Sequence, residues 1–172
     1  MPVLNENREQ QKVNLAAEIL RAGGSIRLIA QGSSMLPAIW PGEVLEISSI
    51  PAEAAAVGDI VLVERDGRFF IHRLIAKNDL GWITRGDSLP EDDPVMVPSV
   101  LLGRVCAIHR RGQVIVPAVQ RSLPIRALAW VLCRSNQLRN LTLRFHSLWV
   151  ERAHFGWLPT RSQHRPCEFH EP

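Results

Sequence analysis

The apolar positions change period twice along the chain. Between residues 8 and 22, Leu15, Ile19 and Ala22, with Ala16 and Leu20 beside them, recur at helical spacing, and Gly23-Gly24 supplies a stop. From Ser25 the period falls to two: Ile26, Leu28 and Ala30 alternate with Arg27, Ile29 and Gln31, the pattern of a strand. Gly32-Ser33-Ser34 interrupts it, Met35 to Trp40 reads as a compact apolar turn, and Pro41-Gly42 introduces a strand at 43–47. After an alanine-rich connector at 51–57, strands are expected at 59–65 and 68–76, joined by the hairpin signal Asp66-Gly67. Further strands are expected at 81–85, 100–109 and 113–117, with a proline-containing loop at 86–98. Beyond Pro124 the helical spacing returns, through Ile125, Leu128, Leu132, Leu138, Leu141 and Trp149, before a Pro-, Arg- and His-rich end.

The pattern predicts a mainly β protein in three parts. An N-terminal helix occupies 1–24, an antiparallel β domain 25–117, and a basic helical tail 118–172. Composition agrees with a folded chain, since 46% of the 172 residues are hydrophobic and 22% charged. No uncharged stretch reaches the roughly eighteen residues of a membrane span. The N-terminus lacks the basic patch, apolar run and small-residue site of a secretory signal. Cys106, Cys133 and Cys167 are widely spaced and odd in number, which fits neither a metal site nor a disulfide framework. A cytoplasmic protein is expected, with at most peripheral membrane contact.

Charge is divided unevenly. Residues 1–103 hold 9 Lys and Arg against 14 Asp and Glu, whereas 104–172 hold 11 Arg against 3 Glu. The tail arginines, from Arg121 to Arg152, are spread among apolar positions. That arrangement suits an anionic lipid surface or an acidic partner, and nucleic acid is not expected. Lys12 and Lys77 are the only lysines, which restricts the available bases.

Gly32-Ser33-Ser34-Met35-Leu36-Pro37 is the most unusual local feature. A serine after a small-residue break, where a strand gives way to a helical turn, can expose both its hydroxyl and its own backbone N–H, as a nucleophile with an oxyanion donor requires. Taken alone, the segment also reads as a polar turn with Met35 as a core plug. His72 is the only histidine before residue 109, and period two puts it on one strand face with Phe70 and Leu74, where an imidazole needs a partner. Neither lysine competes by position, Lys12 being in the leading helix and Lys77 at a hairpin end. Asp87, in Arg85-Gly86-Asp87-Ser88, and Asp92-Asp93 lie in the loop after the following strand. Such acids are ordinarily solvated turn formers, but one could orient the imidazole.

In order, Ser34-Met35-Leu36-Pro37, Gly58-Asp59 opening a strand, His72-Arg73 at the hairpin return, and Arg85-Gly86-Asp87 with further acids resemble the signal peptidase I superfamily. The pattern is most similar to the endoplasmic-reticulum and archaeal type, which uses histidine where bacterial leader peptidases and self-cleaving SOS repressors use lysine. The matching stretch runs from about residue 28 to 108 and includes Gly58–Val63 and Leu102–Val105. The resemblance implies a serine endopeptidase with Ser34 as nucleophile and His72 as general base. Either Asp87 or Asp93 would be the orienting carboxylate; no metal or organic cofactor is implied. It also implies a partly closed antiparallel β structure with a groove in which a precursor peptide lies extended, with small side chains beside the scissile bond. Three features depart from that family. The leading helix is too charged to span a membrane, Ser88-Leu89 replace the asparagines after the Gly-Asp, and the tail has no counterpart. Two alternative readings are a peptidase scaffold that captures peptides or partners without cutting, and a self-cleaving regulator of repressor type. The latter is weakened by the missing lysine base and by the lack of a helix-turn-helix before residue 25.

Overall fold

The computed structural model describes residues 2–118. The expected tail helices, and the lipid contact assigned to them, lie outside the described residues. Helix α1 (Pro2–Arg21) begins earlier than the apolar spacing indicates. It ends as expected at the glycine pair: Gly23 N–H donates to the Leu20 carbonyl (3.0 Å) and Gly24 N–H to the Ile19 carbonyl (2.9 Å), satisfying the last turn. The buried face of α1 is Ala17 and Leu20, whereas Leu15 and Ile19 point outward, 59% and 39% exposed. No helix among the described residues is long and apolar enough to cross a membrane.

Seven strands follow: β1 (Ser25–Ile29), β2 (Val44–Ser48), β3 (Ile60–Arg65), β4 (Arg68–Asn78), β5 (Gly81–Arg85), β6 (Leu101–Arg110) and β7 (Gln113–Ile115). They form one antiparallel sheet in the order β1-β2-β6-β3-β4-β5, with β7 added to β6. The mainly β, antiparallel fold expected from the sequence is therefore present, as an open sheet. Strand β6 organises it, pairing with β2 along one side and with β3 and then β7 along the other.

The uninterrupted run Ile60-Val61-Leu62-Val63 is explained by burial on both faces. Ile60 and Leu62 join one apolar cluster with Ala17 and Leu20 of α1, Met35, Ile39 and Leu45. Val61 and Val63 join a second with Leu74, Trp82 and Leu101. Burial on both sides fixes the register of β3 against β4, because a slip of one residue would exchange the two faces. Val61 thus stands opposite His72 and Val63 opposite Phe70. The β3–β4 turn places Asp66 and Gly67 at φ 52° and 68°, the paired positive angles of a tight hairpin turn.

Candidate active site

Two chain segments bring the candidate residues together. The first leaves β1 at Ala30, whose N–H donates to the Glu43 carbonyl (2.8 Å). It turns at Gly32, where φ is +78°, a conformation that side-chain-bearing residues rarely adopt. Ser34 opens the turn that follows, and Ile39 N–H closes it on the Met35 carbonyl (3.0 Å), while Met35, Leu36 and Ile39 are buried. The apolar residues after Ser34 are therefore the anchor that holds the hydroxyl at the surface of the core. Among the described residues no backbone hydrogen bond uses the Ser34 N–H. The second segment is β4, which carries His72 in the sheet at 6% exposure.

Ser34 and His72 meet although they are far apart in sequence. Ser34 Oγ is 3.2 Å from His72 Nε2, and His72 Nδ1 is 2.6 Å from Asp93 Oδ2. An ionised carboxylate can only accept, so Nδ1 carries the imidazole proton and donates it to Asp93. This leaves the Nε2 lone pair to accept from the Ser34 hydroxyl, the polarity a general base requires. Asp93 Oδ2 also accepts from Thr84 Oγ1 (2.7 Å), and Asp93 N–H donates to the Thr84 carbonyl (2.8 Å). The loop after β5 is thus folded back onto the strand it left. Thr84 was not singled out in the sequence. Its signal is the alternation of β5, which buries it on the Trp82 face and so requires a hydroxyl partner there.

Of the two acids left open by the sequence, Asp93 is the one that reaches the imidazole. Asp87 is engaged by the neighbouring arginine: Arg73 Nε donates to its Oδ1 and an Arg73 terminal nitrogen to its Oδ2, both at 2.9 Å. The Asp87 side chain is 0% exposed and that of Arg73 6%, so this is a buried, bidentate pair. Both ring nitrogens of His72 are already engaged, by Ser34 and Asp93, and the Asp87 carboxylate lies on Arg73 instead. Arg73 also donates to the carbonyls of Gly58 (2.6 Å) and Ala118 (3.2 Å), tying the acid loop, the β3 entry and the end of the described chain to one side chain. Asp59 does not line the dyad either; it pairs with Arg104 at 3.4 Å.

Ser88, a departure from the resembled family, closes the assembly from below. Its N–H donates to the Ser34 carbonyl (2.9 Å), and its Oγ, 2.7 Å from the Ser33 carbonyl and 3.1 Å from that of Ser34, shares its proton between them. Gly86 makes this approach possible, since a Cβ there would stand 2.7 Å from the Ser34 carbonyl oxygen. The acid loop therefore fixes both the nucleophile turn, through Ser88, and the base, through Asp93.

Burial acts to raise the Asp93 pKa, but hydrogen bonds from His72 and Thr84, and the electrostatic pull of His72 and Arg65, outweigh it and hold the carboxyl below its ordinary 3.8. The folded protein then binds that proton more weakly than the unfolded chain does. The stability contributed by the pair is fully present above the unfolded value and is lost as pH falls through the lower, folded one. Urea midpoints measured from about pH 6 down to about pH 2 are expected to fall less steeply in Asp93→Asn than in the wild type, because the substitution removes this linkage.

A groove of about 1050 Å³ runs from the dyad between α1 and the sheet, and both Ser34 and His72 line it. No group of three or more His, Cys, Asp or Glu among the described residues is gathered to hold a metal ion.

Serine, histidine and aspartate are thus joined in series at the head of the groove, in the order nucleophile, base and orienting acid of the serine-triad pattern. Comparison with protein families places the same segment in a known context: the Peptidase S24-like family model matches residues 1–84. That match takes in α1, Ser34 and His72, ends within β5, and does not reach Asp87 or Asp93. It supports the broad superfamily of serine peptidases and self-cleaving repressors. No curated protein matches the chain.

Proposed function

We propose that the protein is a serine endopeptidase that cleaves a peptide through an acyl-enzyme on Ser34. The observation that carries the reading is the continuous hydrogen-bonded series Ser34–His72–Asp93 at the head of the groove. His72 Nε2 takes the hydroxyl proton as Oγ attacks the scissile carbonyl carbon. Asp93 holds the ring in the tautomer that makes this possible and stabilises the imidazolium. The Ser34 N–H, which no backbone hydrogen bond uses among the described residues, donates to the oxyanion that develops. The imidazolium then protonates the leaving amine, and water, deprotonated by the same nitrogen, releases the acyl group and restores Ser34.

Histidine in place of lysine supports kinship with the endoplasmic-reticulum and archaeal signal peptidases inside the broader superfamily. The substrate on this reading is a precursor peptide bound extended along the groove. The family match supports a second reading, self-cleavage of repressor type. One experiment separates the two. The full chain is incubated alone and with a mixture of short peptides, and the products are identified by mass spectrometry. New termini in the peptides, absent with Ser34→Ala, are the expected result. Cleavage of the chain itself at a rate independent of its concentration would favour the second reading, and intact peptides with an intact chain would contradict both.

A further inference from the structure

Asp93 is the member of the series that no strand or buried turn carries. Ser34 is fixed by the buried residues behind it and His72 by β4, whereas Asp93 lies in the loop after β5, between the exposed Asp92 and Pro94. A carboxylate on such a loop keeps its side-chain rotations unless neighbours remove them, and its direction decides whether the imidazole proton stays on Nδ1. Thr84 removes that freedom. Period two along β5 turns Trp82 and Thr84 inward, and Thr84 is 1% exposed opposite Leu74 of β4. His72 precedes Leu74 by two positions on the same face, so hydroxyl and imidazole stand on neighbouring strands and face the same side. Both donate to one oxygen: Asp93 Oδ2 lies 2.7 Å from Thr84 Oγ1 and 2.6 Å from His72 Nδ1. The Thr84 carbonyl adds a third bond, accepting from Asp93 N–H at 2.8 Å.

The neighbours of both residues pair the other way. Arg85 Nη1 donates to Asp92 Oδ1 at 3.1 Å, with the two side chains 39% and 50% exposed. Two adjacent acids thus meet two adjacent residues of β5, and a slip of one position would offer Asp92 to the imidazole instead. An exposed ion pair contributes little to that choice. A buried hydroxyl contributes more, because a slip would leave it without its acceptor in the core. We propose that Thr84 is a positioning residue for the catalytic base: its hydroxyl holds Asp93, rather than Asp92, against His72. The role rests on the peptidase reading, but the hold on Asp93 is measurable without turnover.

The test compares four versions of the full chain. Thr84→Val removes the hydroxyl at nearly constant shape and Thr84→Ser keeps it; Thr84→Ala against Thr84→Ser repeats the comparison without the methyl, so the question is decided even if Thr84→Val does not fold. Two readouts are taken where each variant is folded: the rate at which a serine-directed fluorophosphonate labels Ser34, and the ¹³C titration of the Asp93 carboxyl. Labelling is expected to slow by about tenfold without the hydroxyl and to stay near the wild-type rate in Thr84→Ser, well short of the roughly 10⁴-fold loss expected on removing the acid itself. The Asp93 midpoint should move up in Thr84→Val and Thr84→Ala alone, because a donor to the charged carboxylate is lost. Unchanged labelling in the hydroxyl-free variants, an unmoved Asp93 midpoint, or Thr84→Ser as slow as Thr84→Ala would overturn the proposal, the last by showing that packing and not the hydroxyl matters. Wild-type protein that takes no label would instead remove the peptidase reading, and the titration would still show whether Thr84 holds Asp93.

Discussion

Replacing His72 by alanine is expected to lower turnover of a cleaved peptide by on the order of 10⁴- to 10⁶-fold, as in other serine triads. A serine hydroxyl is a weak nucleophile until a base removes its proton as it attacks, and among the described residues the imidazole within reach of Ser34 is that of His72, 3.2 Å away. Lys77 cannot take over, since it donates to the Ala55 carbonyl at 2.7 Å and lies over the Trp82 ring. Because nucleophile and base act as a unit, Ser34→Ala, His72→Ala and the double variant should share nearly the same residual rate. Losses that multiply in the double variant would mean that the two side chains act independently, and the proposed mechanism would fail.

The largest effect on stability is expected at Arg73. Removing its guanidinium leaves the Asp87 carboxylate buried without its bidentate partner, and breaking such a pair from one side costs about 3–5 kcal/mol. That is a large share of the roughly 5–15 kcal/mol by which a domain is ordinarily stable. The carbonyls of Gly58 and Ala118 lose a donor in the same step. Arg73→Met should therefore lower the urea midpoint severely, and Arg73→Met with Asp87→Leu should recover part of the loss, since the second change removes the stranded charge. If Arg73→Met alone leaves the midpoint unchanged, the pair does not hold the acid loop to the sheet.

These two arginine and histidine positions also show where the sequence is informative and where it stops. Local pattern suffices for the strands. Period two from Ser25, the Asp66-Gly67 turn and the apolar run Ile60–Val63 each follow from one segment's own residues, and each appears in the fold. The nucleophile and base were singled out by the oddity of a serine after a small-residue break and a lone histidine in an apolar strand, and the fold places them 3.2 Å apart. The choice between Asp87 and Asp93 was not legible, because it depends on the path of the loop. Asp93 arrives at His72 only because its N–H returns to the Thr84 carbonyl, while Asp87, nearer the strand, stays under Arg73. In the sequence Ser88 is only a departure from the resembled family; its contacts with the Ser33 and Ser34 carbonyls span more than fifty residues of sequence and leave no local signature. Leu15 and Ile19 mark the same limit on α1. Helical spacing identifies an apolar stripe, but only the sheet decides that Ala17 and Leu20 are the residues that meet it.

The most direct measurement of the central claim is labelling of the full chain by a serine-directed fluorophosphonate, followed by proteolytic mapping with fragmentation that distinguishes Ser33 from Ser34. The account predicts a single adduct on Ser34, formed rapidly in the wild type and lost or strongly slowed in His72→Ala at unchanged folding. An adduct on another serine, or labelling of Ser34 at the same rate without the imidazole, would contradict it.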